Sequence, residues 1–350
     1  MPDKENTMRA MVLREYNSPL VLEQRPIPII KRDQILLKVE ACGICGTDLK
    51  ITKGQLPSII KLPHVPGHEL GGEVVEVGED VKNIKVGQRG IGYTYLPCHD
   101  CHQCRTGKQN VCSTITRLGF EHDGGFGEYV ALPAYGFCPI PADEKVSDYA
   151  VLTDAALTPF HSIVALGKVK AGDSVLVVGV GALGLYALQI AKLSGATVIV
   201  ADIKEEALEN AKSYGADATI NTKKEDLEKS VKELTNGNGV DVAFDGVGYA
   251  STFVPTLKCV TKGGTLLLTG YDPINSLPLD ALGMHYNEWT VIGTRLGTKE
   301  ELLRLIDLTY KKKLKPIISK YYPFNEVNRA LEELSKGQVI GRIVLTGWND

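Results

Sequence analysis

Apolar and polar residues alternate with period two in short runs over roughly the first 150 positions: RAMVL, LVLEQ, QILLKVEA, GGEVVEVG and FGEYVALP, set apart by Gly and Pro. That period predicts half-buried antiparallel strands in a sandwich or barrel-like body. Helical spacing is scarce there. From position 155 the rhythm changes. The apolar runs SVLVVG and TVIVAD each lead into helical spacing, at 183–194 and 205–214, and ATIN, VDVAFD, GTLLLTG and TVIGT follow with helical segments between most of them. Strands alternating with helices predict a doubly wound parallel sheet. Beyond about 294 come two helices, 299–312 and 325–336, and a last strand, GRIVLTG. A parallel-sheet domain has no use for that strand, so it is expected to rejoin the first body and make that domain discontinuous.

Composition narrows the classes. At about 150 residues per domain, 350 residues give two domains. With 43% hydrophobic and 23% charged residues the chain has the profile of a folded globular protein. Its 39 basic and 42 acidic residues leave a net charge of -3. Such a balance offers no cationic field for nucleic acid or an anionic membrane, so the expected partner is a small molecule. No apolar run approaches the roughly 18 residues that span a bilayer, and the first fifteen positions carry charge without an apolar stretch, so a cytoplasmic location is expected. In a reducing compartment disulfides are disfavoured among the eight cysteines, and those that cluster are expected to be metal ligands or redox groups.

Four of them, Cys98, Cys101, Cys104 and Cys112, lie in PCHDCHQCRTGKQNVC, a segment with too few apolar residues to fold alone. Four thiolates at this spacing close a tetrahedral zinc site with no open position, which makes its role structural. An iron–sulfur cluster and a redox disulfide pair are the competing readings. His99 and His102 read as solvated loop residues.

A second pattern sits at Gly179-Val-Gly181-Ala-Leu-Gly184, between an apolar strand and a helical stretch, with Asp202 eighteen residues after the last glycine. This context predicts a dinucleotide site: the first glycine turns the chain, the second admits a pyrophosphate, and the third lets helix and strand pack closely. Asp202 is expected to accept from the adenosine ribose hydroxyls and to favour NAD over NADP, with Lys204 nearby softening the discrimination.

Cys45 in ACGICGTDLK, His68 in VPGHELGGEVVEVG and Asp154 in VLTDAALTPFHS read singly as a buried thiol, a satisfied histidine and a helix cap. Taken with the cysteine segment and the glycine turn, in this order and spacing, they make the chain resemble the zinc-containing medium-chain alcohol dehydrogenases over essentially its whole length. The resemblance implies a GroES-like, mainly antiparallel β catalytic domain at 1–156 and 294–350, with a structural zinc lobe at 95–113, and a Rossmann NAD-binding domain at 157–293. It implies a catalytic zinc on Cys45, His68 and Asp154 with one position open for substrate. Many relatives carry cysteine where this chain has Asp154, and an oxygen donor implies a more electrophilic metal.

By the same resemblance Asp48 orients His68, Glu69 is the acidic neighbour of the metal, and Thr47 is the hydroxyl that relays the alcohol proton. Thr158 lies against the nicotinamide, and Arg342 reaches the pyrophosphate; a surface charge before the last strand is Arg342's other reading. Lys50 stands where some relatives end the relay with histidine, and His161 reads as packed behind the site. Cys42, Cys138 and Cys259 match no ligand position. Segments 55–60, 118–122 and 289–296 are expected to line the substrate pocket. The function implied is reversible oxidation of primary, secondary or aromatic alcohols to aldehydes or ketones with NAD. A polyol or sugar dehydrogenase and a non-catalytic zinc-stabilised nucleotide-binding sensor or scaffold are the alternatives. A homodimer or homotetramer is expected, with TVIGT as the pairing edge.

Overall fold

The structure is a computed structural model that describes residues 6–56 and 58–349. The chain separates into two compact units, one running to Asp154 and resuming at Thr298, the other spanning Ala155–Gly297.

In the first unit, β1 (Thr7–Val12) and β2 (Val21–Pro26) form an antiparallel hairpin. β3 (Gln34–Ile44) is the long central strand. It is followed by β4 (Glu69–Val77), β5 (Arg89–Gly92), the short antiparallel ribbon of β6 (Tyr95–Leu96) and β7 (Thr116–Arg117), then β8 (Tyr129–Pro133) and β9 (Phe137–Pro139). Burial along β3 does not alternate cleanly, because the helix Val146–Ala150 packs on this strand besides the main core. That core gathers Met11, Leu13, Ile35, Leu37, Leu70, Phe126, Leu132 and Phe324.

The second unit is a six-stranded sheet of β10 (Ser174–Val178), β11 (Thr197–Asp202), β12 (Ala218–Asn221), β13 (Val240–Asp245), β14 (Val260–Leu268) and β15 (Thr290–Gly293). All five pairings are parallel, in the order β12-β11-β10-β13-β14-β15. The order reverses between β10 and β13, and in open sheets of this kind ligands bind beyond the carboxyl ends of the strands at such a reversal. The helix Ala182–Leu193 follows β10 and is buried over most of its length.

Back in the first unit, β16 (Ile318–Tyr322) and β17 (Arg342–Thr346) complete a seven-stranded sheet ordered β16-β17-β3-β4-β5-β9, with β8 also pairing β3. β17 runs antiparallel to β3, whereas β16 and β17 are parallel. No single helix among the described residues is long and apolar enough to cross a membrane.

Candidate active site

The sheet register builds the site. Cys45 is the first residue past β3 and caps the helix Gly46–Thr52, its backbone N–H donating to Asp48 Oδ2 at 2.8 Å. His68 directly precedes β4, and Gly43 of β3 pairs with Glu69. Ile343, next to Arg342, pairs with Ile44. Antiparallel pairing on both sides of β3 therefore brings Cys45, His68, Glu69 and Arg342 to one end of the sheet from positions far apart in sequence. Gly43 is required there, because a Cβ would overlap the Glu69 carboxylate. Asp154 joins from the turn after the short 3-10 segment Val151–Thr153.

Ligand atoms of Cys45, His68, Glu69 and Asp154 all lie within 4.8 Å of one another. Cys45 Sγ is 3.3 Å from Asp154 Oδ2, and His68 Nε2 is 3.7 Å from the same oxygen. Tetrahedral zinc with ordinary bond lengths sets N and O donors about 3.3–3.5 Å apart and S and O donors about 3.5–3.7 Å apart, so both separations lie within a few tenths of an ångström of what the metal requires. On the far side of the imidazole, Nδ1 faces Asp48 Oδ1 at 3.3 Å; both atoms are buried and neither has a hydrogen-bond partner. A carboxylate at that edge is what holds a ligating histidine in the required tautomer. Burial pulls the His68 imidazole down, but the charge of Asp48 and the hydrogen bonds that the ring donates to Asp154 and Cys45 outweigh it and lift it well above its ordinary value. The pocket thus favours positive charge, a preference that a divalent cation satisfies.

Arg342 is not a surface charge. Its buried guanidinium donates to Glu69 Oε1 from Nε at 2.9 Å and from Nη2 at 2.7 Å, and Nη2 also reaches Cys45 Sγ at 3.4 Å and Asp154 Oδ2 at 3.1 Å. The sequence reading sent this side chain to a pyrophosphate. In the structure its contacts are the donors of the metal cluster, because β17 lies beside β3. Burial pushes the Glu69 carboxyl up, to about 7, against the pull of Arg342. Thr47 is half-buried with its hydroxyl 3.7 Å from Cys45 Sγ, and Lys50 lies in the last turn of the same helix.

The four lobe thiols also converge. Cys98–Cys104, Cys101–Cys112 and Cys98–Cys112 sulfur separations are 4.0, 3.8 and 3.5 Å. Sulfurs on one tetrahedral zinc stand about 3.8 Å apart, whereas a disulfide requires about 2.05 Å, so the metal reading fits and the disulfide does not. Backbone donors at Ser113 and Cys104 hold the Cys101 thiol down, to about 5, toward the thiolate a metal takes. His99 rests edge-on against Tyr135, with ring centroids 4.3 Å apart. Cys42, Cys138 and Cys259 are buried free thiols that burial pushes up, the last two to about 12.

In the second unit, Gly179 has a left-handed φ of 83°, and Gly181 caps the helix with open space where a Cβ would stand. A Cβ on Gly184 would overlap the Gly179 carbonyl. These are the turn, approach and packing roles expected of the three glycines. Asp202 Oδ2 accepts from Val180 N at 2.9 Å and Oδ1 from Lys204 N at 3.0 Å, so the carboxylate expected to meet the ribose hydroxyls also braces the glycine turn. Thr158 is buried on the short helix Leu157–Phe160, and half-buried His161 begins a π-helical turn, His161–Leu166.

Two features escaped the sequence reading. Asp245, fully buried at the end of β13, accepts from Val247 N and Gly248 N at 2.9 and 3.0 Å. Ser162, Thr269 and Thr294 form a hydroxyl chain with links of 3.2 and 2.8 Å. An Asp followed by Gly-Val-Gly at a strand's end was the available signal for the first. Of the expected pocket segments, Pro57 in 55–60 lies outside the described residues.

A buried thiol–imidazole–carboxylate set with a second, closed metal lobe, carried by a chain with a glycine-turn parallel sheet, defines a metal-dependent oxidoreductase that uses a dinucleotide. Residues 31–142 match the alcohol dehydrogenase GroES-like domain and residues 182–311 the zinc-binding dehydrogenase domain. The chain is 35% identical over 339 residues to an alcohol dehydrogenase of Geobacillus stearothermophilus, covering 97% of this chain and 98% of that one. It is also 35% identical to an NAD-dependent alcohol dehydrogenase of Sulfolobus acidocaldarius, over 97% and 99% of the two chains. Acetophenone reductase from Geotrichum candidum, solved in complex with NAD, superposes with a TM-score of 0.89 at 32% identity over 99% of this chain and 98% of that one. The protein belongs to the zinc-dependent medium-chain dehydrogenase family.

Proposed function

We infer that the protein is an NAD-dependent zinc alcohol dehydrogenase that reversibly oxidises primary, secondary or aromatic alcohols to aldehydes or ketones. The observation that carries this reading is the convergence of Cys45, His68 and Asp154, with the fourth nearby donor, Glu69, held by the Arg342 guanidinium and the carboxyl of Asp48 behind the histidine. Three protein donors leave a tetrahedral ion one position for a substrate oxygen, which a purely structural site does not need. When bound, zinc supplies Lewis acidity toward that oxygen and NAD accepts the hydride.

The chain's own groups handle the proton and the positioning. Thr47, beside Cys45 Sγ, relays the hydroxyl proton of the alcohol, accepting it as its own proton passes on toward the cofactor ribose. Asp48 fixes the imidazole edge, and Arg342 holds Glu69 within the cluster as a second carboxylate neighbour. Gly179, Gly181 and Gly184 admit the pyrophosphate, Thr158 supports the nicotinamide, and Asp202 takes the ribose hydroxyls. NADH formation over a panel of alcohols, polyols and sugars tests the reading. Turnover of simple or aromatic alcohols supports it, and turnover of polyols or sugars alone transfers it to a polyol dehydrogenase.

Asp202→Ala is expected to raise KM for NAD roughly 10- to 100-fold, the worth of a charge-assisted hydrogen bond, and to narrow the preference for NAD over NADP. An unchanged KM with the preference intact contradicts the assignment. The protein is proposed to work in the cytoplasm as a homodimer or homotetramer paired through β15, an edge strand whose residues are exposed or half-buried. Sedimentation as a single chain would contradict the assembly.

A further inference from the structure

The loop that follows the cysteine lobe is fastened to the segment that presents His68. Gly125 N donates to Gly67 O at 2.8 Å, Phe126 N to Pro66 O at 2.9 Å, and Val65 N to Asp123 Oδ1 at 2.9 Å. His64 Nε2 meets Gly119 O at 3.0 Å. The contact is close enough that a Cβ at Gly119 or Gly124 would run into the Gly67 carbonyl. The loop therefore carries its side chains to the metal ligand with little freedom.

One of them is Phe120, whose ring centroid stands 5.1 Å from that of His68 at an interplanar angle of 46°. Its position is set in turn by Arg117, which lies on β7 opposite Tyr95 of β6, at the stem of the lobe. The Arg117 guanidinium sits 4.1 Å over the Phe120 ring and is locked by a two-pronged pair with Glu121, Nε to Oε2 at 3.1 Å and Nη2 to Oε1 at 2.7 Å. Both Arg117 and Phe120 are buried.

A histidine ring turns through a broad, two-fold torsion, so a bond at one ring edge does not fix its plane. Metal ligation requires that plane to be held within about 10–20°. Asp48 restrains the edge of the His68 ring; nothing in that contact restrains its face. We propose that Phe120, clamped by Arg117, sets the plane of the His68 ring, and that the two are positioning residues linking the stem of the cysteine lobe to the catalytic metal. The inference rests on the catalytic-metal reading above.

The test starts from the holoenzyme with cobalt exchanged into the catalytic site, and reads the visible cobalt spectrum and the rate at which a chelator removes the cobalt. Phe120→Leu is expected to speed removal about tenfold, the lower end for losing support behind a ligand, and to shift the spectrum, with one zinc per chain retained in the lobe. Phe120→Tyr keeps both readouts native. Arg117→Met gives a smaller change in the same direction and adds nothing once Phe120 is Leu. Removal within twofold of the parent with an unchanged spectrum in Phe120→Leu overturns the proposal, as does a full Arg117→Met effect in the Phe120→Leu background. If Phe120→Leu does not fold, Arg117→Met decides alone, and native readouts overturn it. A parent that takes no cobalt at Cys45, His68 and Asp154 fails the catalytic-metal reading itself, a distinct result.

Discussion

Cys45→Ala is expected to lower kcat/KM for NAD-linked alcohol oxidation by about 10⁴-fold or more, while the protein stays folded and keeps one zinc per chain. The size follows from the Lewis-acid contribution of a catalytic metal, several kcal/mol of transition-state stabilisation, at 1.36 kcal/mol for each factor of ten. The fold survives because the helix at Gly46–Thr52 is capped through the backbone N–H of Cys45, which the variant retains, and not through its sulfur alone. Arg342 loses its 3.4 Å contact with the sulfur but keeps Glu69 and Asp154. Circular dichroism, zinc analysis and steady-state kinetics on one preparation check all three parts. A loss smaller than tenfold with the remaining ligands intact would count heavily against a catalytic metal at this position.

The second large effect belongs to the lobe. Residues 98–112 contain only the short helix His102–Arg105 and the turn Gln109–Val111, and among their side chains burial is nearly confined to Cys104, Asn110 and Cys112. With so little apolar burial, metal binding must supply the local folding free energy, which in small zinc modules is about 10 kcal/mol or more. Cys104→Ala removes a buried ligand and is expected to lower the zinc content by one per chain and the melting temperature by roughly 10 °C or more, taking several kcal/mol at 2–4 °C each. Because β6 and β7 form the stem from which the loop to His68 departs, the damage is expected to spread beyond the lobe. Calorimetry that showed loss of the lobe zinc with a melting temperature within 2 °C of the parent would contradict a structural role.

The parts of this molecule that local sequence expresses were readable from it. The glycine turn shows because a strand, three spaced glycines and a helix are contiguous, and the lobe shows because its four ligands fall within one short segment. β3, β4, β10 and β11 announce themselves through unbroken β-prone runs. β5 does not: it is four residues, RGIG, and its glycines are there because a Cβ at Gly90 would press on the Phe137 ring, so no side-chain alternation remains to be seen. β16 is an edge strand with a mostly exposed pattern, and its parallel pairing with β17 has no sequence mark. Arg342 is the instructive case. Its neighbours GQVIG and IVLTG say only that a strand begins, while its partners Glu69, Cys45 and Asp154 are fixed by the register of β17 on β3, a long-range pairing that no window of sequence contains. The same holds for Phe120 against His68, where the segment carries an expectation of lining a pocket but no mark of the ring contact.

Zinc-edge anomalous diffraction from crystals of the active, NAD-reducing enzyme tests the central claim most directly. Two peaks per chain are predicted, one enclosed by Cys98, Cys101, Cys104 and Cys112, the other bonded to Cys45 Sγ, His68 Nε2 and Asp154 at about 2.0–2.3 Å. A fully active enzyme with a single peak, in the lobe, would contradict it.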